Sequence, residues 1–99
     1  MSTLVTERDC FAVAVEFSVD SFTIRLDDGR SLSTPLIWYP RLFQGTADER
    51  NHYELIGGGE GIHWPDLDED ISVEGLLAGR PSAETAESLS RWLSNRSKR

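Results

Sequence analysis

Cysteine is almost absent from this chain: Cys10 stands alone among 99 residues, so no internal disulfide can form. A domain this small built for an oxidising compartment leans on several disulfides, so a reducing one is expected. Long apolar runs are missing as well, the longest being the six residues from Cys10 to Val15. A bilayer span needs ~18–20 such residues. The opening MSTLVTERDC carries acids where a signal or transit peptide carries basic and apolar residues. A cytoplasmic location without membrane association is the expectation. Basic residues are few, ten against seventeen acids, giving a net charge of -7 and a pI of about 4.7. Such a surface repels nucleic acid and anionic membrane alike. Internal repeats and low-complexity tracts are also lacking.

What remains describes a folding chain. Hydrophobic residues make up 38% and charged residues 27%, with a mean hydropathy of -0.37, a balance far from that of disordered sequences. Ninety-nine residues suffice for one core and not for two. Charge is unevenly spread: residues 1–59 carry -4, residues 60–79 hold six acids and no base, and residues 80–99 carry +3. The acidic block suits a basic partner.

Alternation predicts a strand over Phe11 to Phe17, with Phe11, Val13, Val15 and Phe17 inward, and a second in SFTIRLD, with Phe22, Ile24 and Leu26 inward. Asp28-Gly29 predicts a type I′ turn into a third strand, Arg30 to Ser33. Thr34 reads as a helix cap with Pro35 at the first helical position, and Pro40 kinks or restarts that helix before Gly45. Thr46 and Glu49 form a capping-box pattern. Extended residues 51–56, the glycine-rich turn 57–61 and Ile62-His63-Trp64-Pro65 predict a second hairpin. Ser72 caps a short helix ended by Gly79. Ser82 caps a last helix ending near Asn95, with Ala86, Leu89, Trp92 and Leu93 on one face and Glu87 meeting Arg91. The fold class is therefore α+β: a three-stranded antiparallel meander plus a second β-hairpin, covered by short helices and a C-terminal helix. Residues 1–9 read as a flexible N-terminus, 10–80 as the domain, and 81–99 as a C-terminal helix with a basic tail.

Motifs for chemistry are weak. Asp66, Asp68 and Asp70 match the first three positions of a calcium loop, but Ile71 stands where glycine is needed and Leu77 where the bidentate glutamate belongs. The glycine run lacks the Gly-Lys-Ser/Thr of a phosphate loop and precedes a strand. Cys10, with no base nearer in sequence than Arg8, reads as a packed, inert thiol. No catalytic constellation, metal site or cofactor is expected. Trp38, Tyr39, Tyr53 and Trp64 are candidates for core or interface.

Three stretches, Pro35 to Leu42 (PLIWYPRL), Gly61 to Val73 (GIHWPDLDEDISV) and Glu74 to Leu77 (EGLL), together resemble the bacterial domain of unknown function 2442. The resemblance spans residues 10–80. It implies a small cytoplasmic α+β domain, paired with a small protein of family 4160 in what looks like a toxin-antitoxin module. It implies no active site. Trp38, Trp64, Leu76 and Leu77 read as fold-holding, and DEDIS as exposed or bonded to Arg41.

The reading that results is a non-enzymatic protein-interaction module, the antitoxin-like or adaptor half of a small bacterial pair. It would bind a small basic partner through Trp38, Tyr39, Arg41, His63, Trp64, Asp66, Asp68, Glu69 and Asp70. A DNA-associated regulator acting through Arg91, Arg96, Lys98 and Arg99, doubled in a homodimer, is the alternative. A metal-assisted enzyme using His63 and the acidic block comes third.

Overall fold

In the chain order of a computed structural model that describes residues 10–97, two small antiparallel sheets follow one another. The expected loose N-terminus, residues 1–9, lies outside the described residues, as do Lys98 and Arg99. The first sheet is the meander β1 (Ala12–Phe17), β2 (Ser21–Leu26) and β3 (Ser31–Pro35), in spatial order β1-β2-β3. Phe22, Ile24 and Leu26 point inward as their alternation demands.

β1 departs from its expected facing. Its pairing with β2 shifts between Ala12 and Ala14, leaving Val13 without a partner. One extra residue in a ladder reverses the facing of what precedes it. Ala12 is consequently buried at 2% exposure while Val13 is 54% exposed. The Asp28-Gly29 turn also differs from type I′, because only Gly29 has positive φ, at 95°. Gly29 N–H donates to the Leu26 carbonyl and Leu26 N–H to Arg30, enclosing a three-residue loop that ends in a left-handed glycine.

Thr34 does not cap a helix. It pairs with Phe22 inside β3, and a 3₁₀ turn, Leu36–Trp38, starts after Pro35 without a side-chain cap. The helix restarts at Pro40: α1 is Pro40–Gln44, with Gly45 at its C-cap. α2 (Ala47–Asn51) carries the full Thr46–Glu49 capping box. Arg50 on α2 donates to the Leu42 and Phe43 carbonyls at 2.8 Å each, satisfying the end of α1.

The second hairpin gains a third strand. β4 (Glu54–Ile56) and β5 (Gly61–Trp64) are joined by β6 (Glu69–Ser72), drawn from the acidic block, in order β4-β5-β6. Ser72 then caps α3 (Val73–Leu77) by accepting from Gly75 N–H. α4 is Ala86–Ser97, starting three residues later than the Ser82 cap implies and ending two residues beyond Asn95. Its cap is Thr85, whose hydroxyl accepts from Ser88 N–H at 3.0 Å, while Ser82 closes a turn on Glu84 N–H, also at 3.0 Å.

The core lies where the inner faces of the two sheets meet. Trp64, wholly buried, sets its edge against Phe22 at 6.4 Å and Phe17 at 6.3 Å, and its indole N–H donates to the Arg50 carbonyl at 2.9 Å. Truncating such a ring costs about 3–5 kcal/mol. The sheets are also tied edge to edge: Ala12 N–H donates to the Gly59 carbonyl at 2.8 Å, and Val15 N–H to the Tyr53 hydroxyl at 3.1 Å. Gly59 has φ 113°, and a Cβ there would lie 2.5 Å from the Ala12 oxygen, so only glycine fits.

Candidate functional site

The residues 65–68 between β5 and β6 form a tight turn. Leu67 N–H donates to the Trp64 carbonyl, and Asp68 takes the left-handed conformation with φ 53°, a geometry that aspartate tolerates. Leu67 is folded beneath the turn with 0% exposure. The hydrophobic half of the GIHWPDLDEDISV stretch therefore builds a hairpin, and Asp66, Asp68 and Asp70 around it face outward, while Glu69 pairs with Trp64 and is partly covered.

Arg41, at the start of α1, reaches this turn. Its Nη1 donates to the Asp68 carbonyl at 2.9 Å, but its strongest partner is Glu84, with Nε to Oε1 at 2.6 Å and Nη2 to Oε2 at 3.0 Å. The expected link from Arg41 to the acidic block is thus mainly a backbone contact; the Asp68 carboxylate is 3.5 Å away and its side chain 87% exposed. The Arg41 hydrogen bonds and a third from Ser88 hold the Glu84 carboxyl below the usual carboxylate range. Arg41 also lies 5.2 Å from the centre of the Trp92 ring, with Arg96 at 4.7 Å from the same ring. Arg96 in turn pairs with Glu49 at 2.9 Å. α4 has no fully buried residue, so this Arg41–Trp92–Arg96 stack, flanked by Glu84 and Glu49, fastens it to the domain. Nothing in the sequence singled out Glu84.

Asp66, Asp68 and Asp70 do not converge. Asp66 bonds His52 at 2.7 Å, Asp70 bonds His63 at 2.5 Å, and Asp68 leans to Arg41. The hydrogen bond to Asp66 raises the His52 pKa above its ordinary value. Among the described residues, no three His, Cys, Asp or Glu side chains gather as metal ligands would. Glu69 differs from these acids: burial pushes its carboxyl up to about 7, with Glu84, Asp70 and Asp68 adding to the rise and Arg41 opposing it. It lines a cleft of about 380 Å³ with Tyr39, Arg80 and Ser82.

Two candidates for partner contact lie inside the core. Trp64 is 0% and Tyr39 5% exposed, the Tyr39 hydroxyl donating to the Arg80 carbonyl. Trp38, read both as fold-holding and as a partner contact, lies on the surface at 38%, in the same segment as Ile37 at 68% and Phe43 at 47%. A 3₁₀ turn buries only one side of itself, and Leu36 takes that place. On the outer face of the second sheet, register sets His63 between Glu54 and Asp70, and Gly61 between Ile56 and Ser72. Of the basic candidates, Arg96 is committed to Glu49 and Trp92, and exposed Arg91 is 3.8 Å from Glu87. Cys10 is buried as expected, but Arg30 donates to its sulfur at 3.0 Å and it bonds Asp28, which raises its pKa.

The model of the family described as a protein of unknown function (DUF2442) matches residues 12–82. The chain belongs to the DUF2442 family. The match covers both sheets and α3 and stops before α4. A DUF2442-like architecture recurs in the crystal structure of a protein of unknown function from Rhodospirillum rubrum. That structure aligns with TM-score 0.67 and 26% identity over 77% of this chain and 94% of the other. The solution structure of an uncharacterized protein from Chromobacterium violaceum shares the fold, with TM-score 0.64 and 22% identity over 82% and 74%. No curated protein matches the chain. Among the described residues no helix is long and apolar enough to cross a membrane.

Proposed function

We propose that this DUF2442 chain is a non-enzymatic protein-interaction module, the antitoxin-like or adaptor half of a small bacterial two-protein pair. Its partner is a small basic protein of the family 4160 type. One observation carries the reading: between Leu36 and Gln44 the chain presents Ile37, Trp38 and Phe43 to solvent. Exposed large apolar side chains concentrated in one segment are characteristic of association surfaces, and tryptophan is a favoured anchor. The chain's net charge of -7 favours a basic partner and steers its approach. Cytoplasmic residence follows from the same proposal.

The test is co-purification from the native host, identification by mass spectrometry, and reconstitution from purified components. A basic protein that binds the wild type, and binds Ile37→Ser/Trp38→Ser at least about tenfold more weakly, is the expected result. Absence of any partner, or equal binding by the variant, counts against it. Salt-dependent binding of DNA alone would favour the regulator acting through Arg91, Arg96, Lys98 and Arg99.

A further inference from the structure

We infer that the open face of the β4-β5-β6 sheet carries a docking groove for a cationic side chain, arginine or lysine, of a basic partner segment. The inference rests on the protein-interaction reading and narrows it to a surface and a chemistry. The groove measures about 480 Å³ and is lined by Ile56, Gly57, Glu60, Gly61, Asp70 and Ser72, with Ile71 between the last two.

Gly61 opens it. In the register Ile56–Gly61–Ser72 the central position of the outer face has no side chain, and a Cβ there would lie 3.2 Å from Ile56 Cγ1 and 3.3 Å from the Ile71 oxygen. One wall is therefore the Ile56 aliphatic chain, 43% exposed. The polar side chains of the lining are acceptors: the Glu60 and Asp70 carboxylates and the Ser72 hydroxyl, which already accepts from Gly75 N–H at 2.9 Å. His63 holds Asp70 from the adjacent strand. No lysine or arginine lines the groove. Among common side chains, an apolar stem tipped with several donors and a positive charge belongs to arginine and lysine. An anion would meet two carboxylates, and a purely apolar group would strip water from them with no bond in return. Two of the six acids in residues 60–79, Glu60 and Asp70, line the groove, and that stretch holds no base.

The experiment is an amide-shift titration of the ¹⁵N-labelled full chain with the peptide acetyl-Gly-Arg-Gly-amide at low salt. The same peptide carrying citrulline, equal in shape and uncharged, serves as control. Saturable shifts confined to residues 56–62 and 70–73, absent with citrulline, are expected. Glu60→Gln/Asp70→Asn should weaken binding about fivefold or more, and Gly61→Val, which fills the groove, should abolish it. An equal response to citrulline, shifts scattered over all surface acids, or unchanged binding by the Glu60→Gln/Asp70→Asn variant overturns the groove. Should the reconstituted partner bind folded Gly61→Val as it binds wild type, the groove is wrong and the interaction reading stands. Loss of partner binding only in Ile37→Ser/Trp38→Ser likewise overturns the groove and leaves the interaction reading in place.

Discussion

Replacing Arg41 by alanine removes the member of the α4 clasp on which the others depend. Its two bonds to Glu84, at 2.6 and 3.0 Å, form a bidentate charged pair, and a third at 2.9 Å satisfies the Asp68 carbonyl. The Glu84 side chain is 6% exposed. In the variant that carboxylate stays covered with only Ser88 to bond it. Breaking a buried pair costs about 3–5 kcal/mol, and since Arg41 keeps 16% exposure the lower end, about 3 kcal/mol, applies. Out of a total near ~5–15 kcal/mol for a domain of this length, that is a large share. At roughly 4–8 °C per kcal/mol, the melting temperature should fall by about 12–24 °C. Urea unfolding followed by tryptophan fluorescence gives the free energy directly. Arg41→Lys keeps the charge without the fork and should recover only part of it. In a cycle with Glu84→Gln the coupling should exceed about 1 kcal/mol. Because Glu84 titrates below its ordinary 4.5 in the fold, the contribution is present above that value and is lost as pH falls through the folded pKa. The deficit of Arg41→Ala should therefore shrink in acid. A variant within about 0.5 kcal/mol of wild type at pH 7 would refute the clasp.

Glu69 works in the opposite sense. Its folded pKa, about 7, lies above the ordinary 4.5, so the folded state holds the extra proton and its destabilising contribution grows between these values and is full above the upper one. Glu69→Gln should raise the melting temperature by a few degrees at pH 8 and by less at pH 5, and equal shifts would show the carboxyl to be solvated. Gly59→Ala combines a φ of 113° with a Cβ 2.5 Å from the Ala12 oxygen. It should cost more than about 2 kcal/mol and expose the Ala12 amide to rapid hydrogen exchange. Trp92→Ala should detach α4 while leaving the sheets intact, seen as faster exchange over residues 86–97 with near-wild-type protection at Ile24 and Ile62. Uniform loss across the chain would mean that α4 is integral to the core.

The local elements were legible because their determinants are local. The Thr46–Glu49 box, the Ser72 cap and the restart at Pro40 each follow from a few adjacent residues satisfying backbone groups. The alternation in SFTIRL likewise fixed the inner face of β2, whichever strands flank it. Composition alone excluded a membrane span by helix and gave the acidic surface. The bulge at Val13 was not legible, because FAVAVEF alternates without interruption and the shift arises from pairing with β2. DEDIS, read only as exposed or bonded to Arg41, carries no strand signal of its own, yet Ile71 supplies an inward residue and β5 offers an open edge, so the segment became a strand. The same long-range pairing decided the sites. Trp38 and Trp64 are equivalent as sequence, and only the crowding of Phe17, Phe22 and Tyr53 around Trp64 sends one inside and leaves the other on the surface. Glu84 acquired its role across 43 residues, a separation at which no sequence spacing carries information. Residue chemistry set what each side chain could do; the packing of two sheets, which brings distant residues to hydrogen-bond range, decided which of them do it.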